Sequence, residues 1–201
     1  MEHRIGILLL DHIPLGVDRV DAPGRHCTHA ATAQAGACVW ASDQDISCPL
    51  ARFVLGLDPA SPEVIDALAA EIVDWGFAAD EHLARQFVGG LWTIPHGEKI
   101  LVYGPPDRLP DEPDVTIEIL TPHEAMRALV SNTHRAGLRA LGDMSGVGAL
   151  CAECTAYPLH SERVAISVGC PGSRRELALD PDKLLMATPR VHSERLTLDV
   201  V

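Results

Sequence analysis

The apolar run from Ile5 to Leu10, broken only by Gly6, predicts a first strand over Arg4–Leu10. A turn around Pro14 and Gly16 follows. Ala22-Pro23-Gly24 then leads into small residues from Arg25 to Ala37, which suit a closely packed helix with Cys27 in its first turn. Val39-Trp40-Ala41 and Ile46-Ser47 read as short strands about the polar turn Ser42–Asp45. Cys48-Pro49 opens a short helix from Pro49 to Leu55, stopped at Gly56. The clearest helix covers Pro62–Trp75: Ser61 caps it, Pro62 fits the first helical position, and Val64, Ile65, Leu68, Ile72 and Val73 share one face.

Asp80–Val88 predicts another helix, ended by Gly89-Gly90. Leu91–Ile94 and Glu98–Tyr103 read as strands around Pro95-His96-Gly97, and Val115–Leu120 as a further strand after a Pro-rich loop. Thr121-Pro122-His123-Glu124 has capping-box form and starts a helix running towards Gly137. Ser145–Ala156 predicts a helix ended by Pro158, on which Cys151 and Cys154 project from one side. Arg163–Val168 is a strand leading to Gly169-Cys170-Pro171-Gly172, and the tail from Leu184 to Val200 combines a turn at Pro189 with a last strand. Strands interleaved with helices, without a composition break, predict a single α/β or α+β domain over 1–201: a mixed sheet flanked by helices.

Composition narrows the function. At 201 residues and 47% apolar side chains the chain can bury a substantial core, and it is not intrinsically disordered. Sixteen basic against 28 acidic residues give a net charge of −12, so no domain-wide basic field exists to hold nucleic acid. No apolar stretch approaches the length of a membrane span and the start lacks signal-peptide flanks, so a cytoplasmic location is expected. Aromatic residues make up only 4%, yet there are six cysteines and ten histidines. In a reducing compartment such cysteines serve as thiols, metal ligands or catalysts rather than disulfides.

The cysteines are patterned. Ile46-Ser47-Cys48-Pro49-Leu50-Ala51-Arg52 and Ile166-Ser167-Val168-Gly169-Cys170-Pro171-Gly172-Ser173-Arg174 each carry Cys-Pro-x-x-Arg after a strand. Cys27 precedes Cys48 by 21 residues and Cys151 precedes Cys170 by 19, each on a predicted helix, which suggests a weak internal duplication. Two such units would direct four thiolates to one centre. Cys-Pro is a recurrent end of iron–sulfur ligand motifs, since proline supplies no donor and turns the chain away. Arg52 and Arg174 could offset a thiolate centre's charge or hold an anionic substrate. Gly169, Gly172 and Ser173 would let the backbone approach a cofactor. Four thiolates suit a [4Fe–4S] cluster, and zinc almost as well.

Other residues weigh less. Cys38 lies on an apolar run and reads as core, and Cys154 is a redox partner or an alternative ligand. His26 and His29 flank Cys27 and read first as solvated helix-start residues, then as alternative ligands or proton carriers; His123 and His134 could reach the same site. Asp111-Glu112-Pro113-Asp114 reads as a solvated loop, and no Walker, nucleophile-elbow, zincin or dinucleotide-binding motif occurs.

In order, the Cys27 segment, Ile46-Ser47-Cys48-Pro49 with Leu55-Gly56-Leu57, Glu112-Pro113-Asp114-Val115, Pro122–Met126, Gly146–Cys151, Val168–Arg174 and Ala187-Thr188-Pro189 resemble the domain of unknown function family 169. These are uncharacterised cysteine-containing bacterial and archaeal proteins. The resemblance spans nearly the whole chain, and Gly-Cys-x-Gly-Ser-Arg is its most specific part. It implies cysteines at Cys27, Cys48, Cys151 and Cys170 and carries no established activity. His123, where glutamine is usual, and the extra Cys154 depart from the pattern.

The expectation is an iron–sulfur protein with Cys27, Cys48, Cys151 and Cys170 as ligands, acting in redox or cluster-assisted chemistry on a small molecule, with a homo-oligomer compatible with the sequence. If three cysteines bind, an open iron position makes it an enzyme. Cys154, His123 and Arg174 are then the catalytic candidates. The alternatives are a metal-free thiol enzyme using Cys154 or Cys170, and a zinc-stabilised binding module.

Overall fold

A computed structural model describes residues 4–136, 140 and 144–191, without the side chains of 132–139. Strands β1 (Arg4–Leu10), β2 (Asp18–Arg19), β3 (Val39–Ala41), β4 (Ile100–Gly104), β5 (Val115–Leu120), β6 (Ala165–Ser167) and β7 (Leu184–Pro189) form one sheet. Its order is β2-β3-β4-β1-β5-β7-β6. Only β2 and β3 pair in parallel, so the sheet is mixed. At its centre β1 pairs antiparallel with β4 and β5.

The helices are α1 (His26–Gln34), α2 (Pro49–Val54), α3 (Pro62–Asp74), α4 (Glu81–Gly89), α5 (Pro122–Ala136), a π-helix (Ala149–Ala156), α6 (Tyr157–Ser161) and α7 (Pro171–Glu176). The strand period of two decides which face each group serves. Ile5, Ile7, Leu101, Tyr103, Ile117, Leu185 and Ala187 lie in one cluster with Ala30 of α1, Phe53 of α2, Leu68 of α3 and Leu150 of the π-helix. Each large side chain buried there contributes roughly 1.5–3 kcal/mol of transfer free energy. A smaller cluster joins Leu120, Val164 and Met186 to Ala125 and Ala128 of α5. Met186 alternates with Leu185 and Ala187, which places α5 on the opposite face of the sheet.

The two halves of the sheet repeat one connectivity. β1 leads through α1 to β3, then α2, and β4 returns between β3 and β1; β5 leads through the π-helix and α6 to β6, then α7, and β7 returns between β6 and β5. The first half inserts β2, α3 and α4, the second α5. The sequence match also extends past Cys-Pro-x-x-Arg. Positions 48–59 and 170–181 share Cys, Pro, Arg, Leu, Leu, Asp and Pro, seven of twelve.

Both copies fold alike. Cys48 and Cys170 cap six-residue helices with proline at the first position. Each helix ends in a left-handed residue, Gly56 (φ 67°) or Ala178 (φ 48°). The next amide returns to the arginine carbonyl: Leu57 N to Arg52 O at 2.8 Å, Leu179 N to Arg174 O at 2.9 Å.

Several expected elements differ. Leu91–Ile94 is not a strand, and Ile46 makes only an isolated bridge to Gly24. Pro158 does not end the helical run; it sits where the π-helix passes directly into α6. β7 ends at Pro189, and the strand expected beyond it lies outside the described residues. β2 and α7 had no signal strong enough to predict them.

Candidate functional site

Cys27, Cys48, Cys151 and Cys170 line one cavity of about 520 Å³. Cys27 comes from the first turn of α1, Cys151 from the π-helix, and Cys48 and Cys170 from the caps of α2 and α7. The duplication therefore delivers two thiols from each half of the sheet. Every pair among the four interacts electrostatically. Burial pushes the Cys27 thiol up to about 12, with Cys170 and Cys48 adding to the shift. Burial also raises Cys48, against the backbone amides of Ala51 and Leu50 and the charge of Arg25, which lower it. Cys151 is raised well above the usual thiol range by burial and then by its three neighbours. Burial thus favours the neutral thiol at Cys27, Cys48 and Cys151, and a cation placed among them would reverse that preference.

Local geometry fixes each thiol. The Cys170 sulfur accepts the Ser173 amide at 3.4 Å, and the Ser173 hydroxyl accepts the Cys170 amide at 2.9 Å. Gly169 has φ 82°, and a side chain there would meet Arg174 Cγ at 2.8 Å. Gly148 opens the π-helix at φ 70°; a side chain there would lie 3.1 Å from Leu50 and 3.6 Å from the Cys151 sulfur. The buried Glu153 carboxylate holds the adjoining loop. It accepts the Ser145 amide at 2.7 Å, the Gly146 amide at 3.3 Å and the Ser167 hydroxyl.

The remaining candidates stand elsewhere. Cys154 is fully buried and does not line the cavity. The π-helix is the reason: its i→i+5 bonding widens the turn, so residues three apart diverge instead of sharing a side. Burial, then Glu153 and Cys170, raise the Cys154 thiol well above its usual range.

Neither Arg52 nor Arg174 faces the thiols. Arg52 donates to the carbonyls of Asp43 and Ile46 and pairs with Asp58 at 2.6 Å. Arg174 donates to the carbonyls of Val168 (2.7 Å), Asp180 (2.6 Å) and Lys183 (3.3 Å). In both copies this arginine clamps the carbonyl two residues before the cysteine. Gly172 lines the cavity, whereas Gly169 and Ser173 shape it from behind. His123 is exposed on α5, away from the cavity, and the His134 side chain lies outside the described residues.

Sequence reasoning missed Arg25, Arg175, Trp75 and Phe77, which all line the cavity. No motif marks them, since they come from three separate segments. It also read His26 and His29 as solvated, yet both are buried. His26 lines the cavity between the Tyr103 hydroxyl at 2.8 Å and Thr155 Oγ1 at 3.1 Å. Thr155 spends its proton on the Leu150 carbonyl at 2.8 Å, so His26 Nε2 donates to Thr155 and Nδ1 accepts from Tyr103. Burial first, then His29, pulls His26 down to about 3, which keeps it neutral in this chain of bonds.

The fold and site define a class of protein: a duplicated α/β sheet that gathers two thiols from each half around one cavity. The chain belongs to the domain of unknown function 169 family, described as uncharacterised ArCR, whose profile matches residues 3–197. It is similar to the uncharacterized protein MJ0308 of Methanocaldococcus jannaschii, at 26% identity over 180 residues that cover 89% of this chain and 77% of that protein. No solved structure matches the chain.

Proposed function

We propose that the cavity binds an iron–sulfur cluster, with [4Fe–4S] the best fit, through Cys27, Cys48, Cys151 and Cys170, and that the protein is a cytoplasmic enzyme of redox or cluster-assisted chemistry on a small molecule. The observation that carries this reading is the convergence of four thiols, two per duplicated half, on one cavity. The donor set fits the group. All four donors are thiols, and glycine at 148 and 172 keeps space open around Cys151 and Cys170. Among the described residues no three His, Cys, Asp or Glu are gathered closely enough for one ion. Zinc, held at Zn–S distances of about 2.3 Å, is the alternative occupant of the same thiols. An iron–sulfur cluster would supply an electron when all four cysteines bind it, and a Lewis acid only if one of its irons lacked a cysteine. No helix among the described residues is long and apolar enough to cross a membrane, in keeping with this setting.

Iron and acid-labile sulfide measured on protein purified without oxygen test the reading. A brown protein with about four of each per chain is expected, falling to a small fraction in Cys48→Ala and Cys170→Ala. Colourless protein without iron would overturn it. Bound zinc would then indicate a binding module, and a single fast-alkylating thiol at Cys170 a metal-free thiol enzyme.

A further inference from the structure

The charge of the cavity wall is opposite to that of the protein. The chain carries 28 acidic and 16 basic residues. Yet the cavity lining among the described residues includes Arg25 and Arg175 and no aspartate or glutamate. Arg25 is exposed and donates to no acceptor among the described residues. Arg175 is also exposed and holds the neighbouring Glu176 at 2.7 Å, a carboxylate that Thr28 contacts at 3.3 Å. Both arginines influence Glu176, an acid beside this rim.

The same cavity has an aromatic wall. Trp75 and Phe77 flank the turn after α3, stand edge to face with ring centres 6.3 Å apart, and are 43% and 44% exposed. Aromatics are scarce in this chain, and two of the eight stand here with solvent-facing rings. An apolar face beside guanidinium groups suits a ligand with a flat body and an anionic end.

We infer that the cavity takes, beside the thiol centre, a small aromatic anion, its carboxylate or phosphate on Arg25 and Arg175 and its ring against Trp75 and Phe77. This names the substrate class of the site proposed above, and rests on that proposal only in calling the ligand a substrate.

A matched pair of fluorescent probes tests it. 8-Anilino-1-naphthalenesulfonate carries an anionic group, and N-phenyl-1-naphthylamine has the same ring system without it. Both are titrated into the wild-type protein as purified without oxygen, and iron is measured on the same samples. The sulfonate is expected to bind once per chain and at least tenfold more tightly than the neutral probe. Arg25→Ala with Arg175→Ala should erase that difference while leaving iron content and thermal midpoint intact, and Trp75→Ala should weaken both probes. Displacement of the sulfonate by benzoate or by phenyl phosphate then tells which anionic end the site prefers.

Equal affinity for the two probes, no binding, or sulfonate binding indifferent to the arginines would each overturn the inference. So would loss of iron in the double arginine variant, because the arginines would then serve the cluster's charge. Arginine-dependent sulfonate binding to iron-free protein would instead uphold the anion site while the cluster reading fails.

Discussion

Asp45 shows how single side chains set the cavity's frame. Its carboxylate is buried, takes two hydrogen bonds from Arg19 at 2.9 and 3.1 Å, and accepts the Ser42 amide and hydroxyl at 2.8 Å each. Its carbonyl meanwhile accepts His29 Nε2 at 3.0 Å and the Gly24 amide at 2.9 Å, fastening the start of α1 to the loop before Cys48. Burial would raise this carboxyl, but Arg19 and Ser42 together outweigh it and hold the group below its ordinary value of 3.8. A depressed carboxyl adds stability that is complete above the unfolded value and disappears as pH falls through the folded one. Asp45→Asn is expected to cost roughly 2 kcal/mol at pH 7. Urea titrations of both proteins should show that gap narrowing once pH falls below about 4, where the unfolded carboxyl takes up its proton, and closing as pH passes the lower folded value, where the native carboxylate is protonated too. A gap independent of pH would mean that the charge contributes nothing. Neither the pairing with Arg19 nor the burial of His29 was legible in the sequence, because the partners lie 26 and 16 residues apart and share no periodicity.

Among the elements, the π-helix is the most consequential. All eight of its residues are buried, and it packs between α2 and the sheet. The sequence correctly indicated helical structure here but implied ordinary α spacing, which would have put Cys151 and Cys154 on one side. Thr155 anchors the wider turn by donating to the Leu150 carbonyl five residues back, and it also receives His26. Thr155→Val keeps the shape but leaves the His26 donor without its acceptor, so a loss of about 1–3 kcal/mol is expected. Hydrogen exchange should show the loss concentrated in Ala149–Ala156 and the first turn of α1. Uniform loss of protection throughout the sheet would contradict the assigned network. By contrast, α3 and α4 were plain from the sequence, since Ser61 and Asp80 each accept an amide of the first turn as N-caps. Leu91–Ile94 has strand-like composition, but no neighbour is in place to pair with it, and its Ile94 amide instead donates to Val54 O at 2.8 Å.

For the whole molecule, the seam between the halves is the pairing of β1 with β5, from Arg4 opposite Glu118 to Ile7 opposite Val115. The Asp114 carboxylate reinforces it by accepting the Leu9 amide at 2.8 Å. The cavity straddles this seam, with Cys27 and Cys48 on one side and Cys151 and Cys170 on the other. Splitting the chain in the loop before β5, between 108 and 112, should therefore give two pieces that fail to fold separately and form one complex when co-expressed. Dispersed amide resonances and a cooperative melt from the first piece alone would show that the seam is dispensable.

The sequence by itself determined the duplication's core motif, the four cysteines worth following, most helices and the mixed α/β class. Those features are local: a proline after a cap, a 3.6-residue apolar stripe, a repeated Cys-Pro-x-x-Arg. Only the tertiary structure decided that Arg52 and Arg174 clamp backbone carbonyls, that Cys154 stands behind the wall, and that Arg25, Arg175, Trp75 and Phe77 meet beside the thiols. The physical reason is that a cavity wall is made by closing the sheet's two halves on each other, and neither residue spacing nor composition records which side chains that closure brings together.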